Sequence, residues 1–208
     1  MQITKRARKS AKIKLDILLS TVQLVGKKSF NDLYVDDICA KAGTSKVTFF
    51  KYFPQKEDVL LYYLRIWCLD RAVELNVKPR EGMQGLYYLV EKLSDAYDKH
   101  PGLILNLISY WTSEQRPPNT FPVKPAERHL LYPKINEWGS LEILSLPMLV
   151  EKFVLEAVLT KQSNKHHDPS ELANLVLSVL YGSIVTAHTR QVHPIRTLFR
   201  RNIDSIFK

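Results

Sequence analysis

Apolar residues along this chain recur mainly at three- and four-residue spacings, the period of a helix face, and not in the strict alternation of a half-buried strand. Between Arg8 and Val25, the positions Leu15, Leu18, Val22 and Val25 line one such face, and Gly26 follows as the residue best able to close a helix in the left-handed conformation. After a short link from Lys27 to Leu33, the acidic pair Asp36 and Asp37 favours the first turn of a second helix, with Ile38, Cys39 and Ala42 on its inner side and Gly43 at its end. Thr44 and Ser45 are both N-cap candidates for a third helix from Lys46 to Phe53, which Pro54 ends because the residue before a proline is pushed out of the helical region. From Gln55 a longer pattern passes through Val59, Leu60, Tyr63, Ile66, Trp67 and Val73 to about Val77, ahead of Pro79.

Further helices are predicted over Met83 to His100, Pro101 to Trp111, Leu130 to Trp138, Pro147 to Thr160, Pro169 to Arg190 and Pro194 to Phe207. Prolines 101, 147, 169 and 194 suit first turns, where a missing N–H is not needed, and Asp168 is placed to cap the helix at Pro169. Arg116 to Pro125 is proline-rich and reads as a loop, and no convincing strand pair occurs. The predicted class is all-α, with a three-helix N-terminal domain over residues 1–54 and a larger helical domain over 55–208.

Composition is globular: 208 residues, 45% hydrophobic and 25% charged. No run of about 18 uncharged apolar residues is present, and the basic start, Met1 to Lys14, is not followed by the apolar stretch and cleavage site of a signal peptide. A cytoplasmic protein without a membrane partner is therefore expected. Cys39 and Cys68 stand in different helical patterns without metal-ligand spacing and are expected to be buried free thiols.

Charge changes the picture by its position. Residues 1–56 hold 12 Lys/Arg against 4 Asp/Glu, whereas the other 152 residues hold 18 against 17. A basic block ahead of a near-neutral body predicts a polyanion met by one end of the molecule, nucleic acid first and an anionic membrane surface second.

The segment from Val35 to Leu60 has the layout of a helix-turn-helix, whose second helix lies across the first and keeps an outer face free for the major groove. Ile38, Ala42, Phe49 and Phe53 are the expected inward anchors, with Ala40 and Gly43 small enough for close helix approach. Ser45, Lys46, Val47, Thr48, Phe50, Lys51 and Tyr52 face outward, mixing cations, hydroxyls and apolar groups that suit guanine edges, phosphate oxygens and thymine methyls. The basic leader Lys5, Arg6, Arg8, Lys9, Lys12 and Lys14 is expected to neutralise flanking phosphates or enter a minor groove as an arm.

Ile38-x-Ala40, Gly43, Ser45, Thr48 and the run Phe50-Lys51-Tyr52-Phe53-x-x-Lys56-x-x-Val59-Leu60 resemble the N-terminal signature of the tetracycline-repressor-like (TetR) family, over about residues 10 to 62. Tyr34 stands where that family often has a small hydroxyl cap, and Phe50 where it often has tyrosine. The resemblance implies a transcriptional regulator, a repressor by expectation, that binds double-stranded DNA at a palindromic operator as a homodimer. It implies base-edge contacts from Lys46, Val47, Phe50 and Lys51, and phosphate contacts from Ser45, Thr48, Tyr52 and Lys56 beside the leader residues Lys5, Arg6, Arg8 and Lys9. It also implies a small-molecule effector cavity in the C-terminal domain, with Tyr63, Trp67, Tyr97, Tyr110, Trp111, Trp138 and Phe153 as candidate lining. The helices at Pro147 to Thr160 and Pro169 to Arg190, the second carrying Gly182 and Ser183, suit a two-fold four-helix interface.

His166 and His167 beside Asp168 read as a surface turn, because consecutive residues at a helix start poorly form a tetrahedral site and no further ligands follow; His188 and His193 read likewise. No phosphate-cradling glycine loop, nucleophile elbow or His-Glu metal helix is present, so neither an enzyme nor a cofactor is expected. The rival reading is a basic protein that binds DNA without sequence preference or lies on a membrane surface.

Overall fold

The computed structural model describes residues 3–25, 29–113, 122–135, 138, 141–160 and 168–207. Among the described residues there are ten helices and no strand: α1 (Lys5–Val25), α2 (Val35–Ala42), α3 (Lys46–Tyr52), α4 (Asp58–Val77), α5 (Gly82–Lys99), α6 (Pro101–Ser113), α7 (Pro125–Leu131), α8 (Leu146–Leu159), α9 (Pro169–Arg190) and α10 (Ile195–Phe207). The all-α class follows. By packing, the chain divides into one unit of Met1–Arg71 with Gly102–Glu142 and a second of Ala72–Pro101 with Ile143–Lys208.

In the first unit, the apolar face predicted for α1 is buried through Leu15, Ile17 and Leu18, against Ile38 of α2, Phe49 and Phe53 around α3, and Val59 and Tyr62 of α4. A second apolar group joins Phe30, Leu60 and Leu61 to Leu103 and Leu107 of α6. In the second unit, α5 and α9 flank α8, and α10 closes on α5 and α9. Gly85 of α5 is required there by close approach, since a Cβ would lie 2.2 Å from the Phe153 ring of α8. Asp168 caps α9 as expected, its carboxylate accepting from the Ser170 N–H at 2.7 Å, and Ser145 caps α8 through the Met148 N–H.

Several boundaries depart from expectation. Helix α1 begins at Lys5, so Lys5, Arg6, Arg8 and Lys9 form its first turns and not an extended arm; Thr4 caps them, its hydroxyl accepting from the Ala7 N–H at 3.2 Å. The helix predicted over Leu130 to Trp138 instead starts at Pro125 and stops at Leu131. Pro125 fits its first turn, Glu127 reaches back to the Lys124 N–H, and Pro133 disfavours helical geometry at Tyr132. Gly26, much of the proline-rich stretch, His166 and His167 lie outside the described residues.

Helix α9 is long and apolar enough to cross a membrane by length and composition alone, with mean hydropathy 1.4 over its best window, 39% of which is buried. Asn174, Ser178, Ser183, Thr186 and His188 interrupt its apolar residues, so the helix holds no continuous apolar run of that length. Both cysteines are buried free thiols, and burial, followed by the nearby Asp36 charge, pushes the Cys39 thiol above its usual value.

A candidate nucleic-acid interface

The α2–α3 corner is built from local signals. Gly43 takes the left-handed conformation, with φ 63° and ψ 38°, and both its N–H and that of Thr44 donate to the Cys39 carbonyl. Nothing lies within 4 Å of a Cβ added at Gly43, and Ala40 is exposed, so neither residue is small for the sake of helix approach. The glycine serves the turn. Of the two N-cap candidates, Ser45 acts: its Oγ accepts from the Thr48 N–H at 3.2 Å and shares a hydrogen bond with Thr48 Oγ1 at 3.0 Å. Tyr34, at the start of α2, makes no side-chain cap.

Helix α3 is anchored by Phe49 and Phe53, both fully buried and 5.8 Å apart between ring centroids; Phe53 continues to Tyr62 of α4 at 5.5 Å. This fixes which face points away. Val47 is 82% exposed and Phe50 46%, the latter set edge-on to Phe49 at 5.4 Å, while Lys46 and Lys51 are exposed beside them. Thr48 and Tyr52 are half-buried at the margins. Lys46 lies 2.8 Å from Asp36, with both side chains more than half exposed, a pair weak enough in water to open for a stronger anion.

Two lysines depart from the sequence reading. Lys14, grouped there with the phosphate-neutralising leader, is buried with its ammonium 2.8 Å from Glu127 of α7 and 4.2 Å from the centroid of the Tyr62 ring. The signal was present: Ala11, Lys14, Leu15 and Leu18 follow the three- and four-residue spacing of the inner face, so Lys14 lies on the apolar stripe. Lys56, expected on a phosphate, donates to the carbonyls of Phe30 (3.0 Å), Leu33 (3.1 Å) and Asn31 (3.4 Å), with Phe30's ring 4.8 Å beneath it. An ammonium has three donors, and all three are directed into the turn before α2.

The candidate lining residues fall in both units. Tyr97 and Phe153 belong to the second unit, both buried, and Phe153 is committed to the notch over Gly85. The other five lie in the first unit. Tyr63 has its phenol pushed up to about 12 by burial and then by Asp70, which also accepts from the Tyr132 hydroxyl. Trp67 carries the Arg71 guanidinium 4.8 Å above its ring, and Trp138 meets Tyr132 edge-on at 6.3 Å. Tyr110 and Trp111 pack half-buried on the Phe30, Leu60 and Leu103 group.

Residues 17–63, from mid-α1 to early α4 and including the whole α2–α3 corner, match the family model described as "Bacterial regulatory proteins, tetR family". Over these residues the chain is similar to the DNA-binding part of that family. The HTH-type transcriptional regulator EthR from Mycolicibacterium smegmatis is 43% identical over 109 residues, covering 47% of this chain and 49% of the relative. The match therefore spans about half the length of that curated relative. A likeness of fold extends beyond the corner. FadR from Thermus thermophilus, a TetR-family transcriptional repressor solved in complex with lauroyl-CoA, superposes with a TM-score of 0.63 at 16% identity, covering 93% of this chain and 92% of its own. FadR from Bacillus subtilis, solved with stearoyl-CoA, gives 0.53 at 16% identity over 93% and 97%.

Proposed function

We propose that this protein is a sequence-specific DNA-binding transcriptional regulator that represses from a palindromic operator as a homodimer. The observation that carries this reading is the outer face of α3, where Lys46, Val47, Phe50 and Lys51 stand exposed on a helix pinned from behind by Phe49 and Phe53. A helix serving only its own core would bury those apolar groups. In the proposal these four residues address base edges: the lysines guanine O6 and N7, Val47 and Phe50 thymine methyls.

Ser45, Thr48 and Tyr52 at the margins of α3, with Lys5, Arg6, Arg8 and Lys9 on the first turns of α1, contact phosphates. The Ser45 and Thr48 hydroxyls share one hydrogen between them, which leaves the other free to donate to an anion. Lys56 is withdrawn from that set and assigned the turn it already holds. Residues 1–54 thus carry DNA contact, and residues 55–208 carry regulation and dimerisation. The protein is a binding protein of the cytoplasm with no catalytic step.

Ligands in two structural neighbours support a small-molecule effector that shifts the dimer between conformations differing in the separation of their reading helices. Long-chain acyl thioesters are the first compounds to try. The reading is tested by selecting purified protein against random duplex DNA at near-physiological salt. Enrichment of a palindrome supports it. Salt-sensitive binding without enrichment favours a basic protein without sequence preference.

A further inference from the structure

One charge pair in the first unit lies outside the residues assigned above to DNA contact. Glu127, with a side chain 1% exposed, faces Lys14, 8% exposed, at 2.8 Å. Both carboxylate oxygens are employed: Oε1 accepts from Lys14 on α1, and Oε2 accepts from the Lys124 N–H at 2.9 Å, holding the start of α7. Releasing Lys14 therefore also disturbs the end of a helix only seven residues long. A cleft of about 400 Å³ lies between the first turns of α1, at Arg6, Ala7 and Ser10, and residues Lys124 to Glu127, so packing of α7 on α1 is incomplete beside the ion pair.

From this pair, direct contacts run to the reading face. The Lys14 ammonium sits 4.2 Å from the Tyr62 ring centroid, Tyr62 meets Phe53 at 5.5 Å, Phe53 meets Phe49 at 5.8 Å, and Phe49 meets exposed Phe50 at 5.4 Å. Burying two charges is a poor way to gain stability, since apolar residues of similar volume serve as well or better; removing one partner strands the other in low dielectric. Such a contact favours two discrete arrangements, docked with the pair formed or undocked with both charges hydrated, over a graded series.

We infer that Glu127 is a positioning residue whose ion pair with Lys14 couples the docking of α7 to the placement of the DNA-reading helix. This rests on the regulator reading. Coupling is reciprocal: whatever acts on α7 alters DNA affinity to the same factor by which DNA alters α7. The effector therefore need not be known for a test.

The measurement is hydrogen exchange of α7 in the full chain, free and with the duplex obtained by selection, using a scrambled duplex as control. In the wild type, the operator should change α7 exchange by about fivefold or more, and the scrambled duplex should not. Glu127→Gln should speed α7 exchange in the free protein by roughly tenfold or more while α2 keeps its protection, and should shift operator Kd. The double variant Lys14→Met/Glu127→Leu, which stays testable if the single one fails to fold, should keep α7 docked yet lose the operator-induced change. An operator-bound wild type whose α7 exchange is unchanged, or a double variant with the full wild-type response, overturns the inference alone. A protein that enriches no duplex overturns the regulator reading and the inference with it.

Discussion

Lys51 and Lys56 are five positions apart with the same side chain, yet their surroundings assign them different work. Lys51 projects from the outer face of α3 into solvent, whereas Lys56 has its donors on three backbone carbonyls. Lys51→Ala should therefore lower affinity for the selected operator and flatten discrimination at one base pair by about 1–3 kcal/mol. Competition binding against single-base operator variants checks this, and an equal loss on every sequence would move Lys51 to a phosphate. Lys56→Met should behave otherwise. It should lower the unfolding midpoint and leave the salt dependence of binding nearly unchanged, whereas Arg8→Ala should reduce the slope of log K against log salt by about one. A Lys56→Met slope that falls as far as the Arg8→Ala slope would return Lys56 to the phosphate set. At this scale the sequence shows the kind of chemistry but not its pairing: Lys14 reads as one more leader cation because its partner, Glu127, is 113 residues away. Only its place on the apolar stripe marks it as buried.

Glycines 43 and 85 show what is legible at the scale of elements. The turn at Gly43 can be read directly, because its causes are local: an acidic first turn, a left-handed C-terminus, a serine cap and a proline stop, all within about twenty residues. Gly85 reads as an ordinary helix-interior glycine, since its cause is the Phe153 ring on α8, distant in the chain. The short α7 differs from the expected Leu130 to Trp138 for a local reason: the leucine pattern around Leu130 is real, but Pro125, the Glu127 cap and Pro133 set the bounds of the helix. The two glycines should respond differently to alanine. Gly43→Ala meets open space, so its penalty is conformational, about 1–2 kcal/mol for a left-handed non-glycine residue. Gly85→Ala must displace an aromatic ring and should cost about 1–3 kcal/mol by overpacking. Urea unfolding of both variants measures the losses, and operator binding by folded protein should fall with Gly43→Ala more than with Gly85→Ala, because only Gly43 sets the angle of α3. A Gly85→Ala protein as stable as wild type would show that Phe153 has room to move.

The proposed dimer is a question for the whole molecule, and exposed apolar surface on α8 and α9 is where it would form. Met148, Leu155 and Leu159 lie along one face of α8 at helical spacing, Leu159 being 72% exposed, while Leu175 and Val185 are about half exposed on α9. Between them, Gly182 has open space where a Cβ would stand. The stripe is separate from the chain's own core, to which Leu172, Val176, Leu180 and Ile184 of α9 belong, and Leu175 and Val185 only add to the hydropathy those buried residues give the helix. A second copy would cover it by a two-fold packing of four helices, which would also set two reading helices on successive half-sites about 34–36 Å apart. Leu159→Glu combined with Leu175→Glu should therefore produce a monomer by sedimentation at micromolar concentration, with helix content retained because neither residue is part of the chain's own core. Its affinity for the full palindrome should fall to that for a single half-site, since one short helix reads too few base pairs to bind tightly alone. Anionic vesicles discriminate the membrane alternative: wild-type protein should remain in solution with them. A double variant that stays dimeric and still binds the palindrome would place the interface elsewhere, whereas release of vesicle-bound wild type by the same substitutions would assign the stripe to lipid.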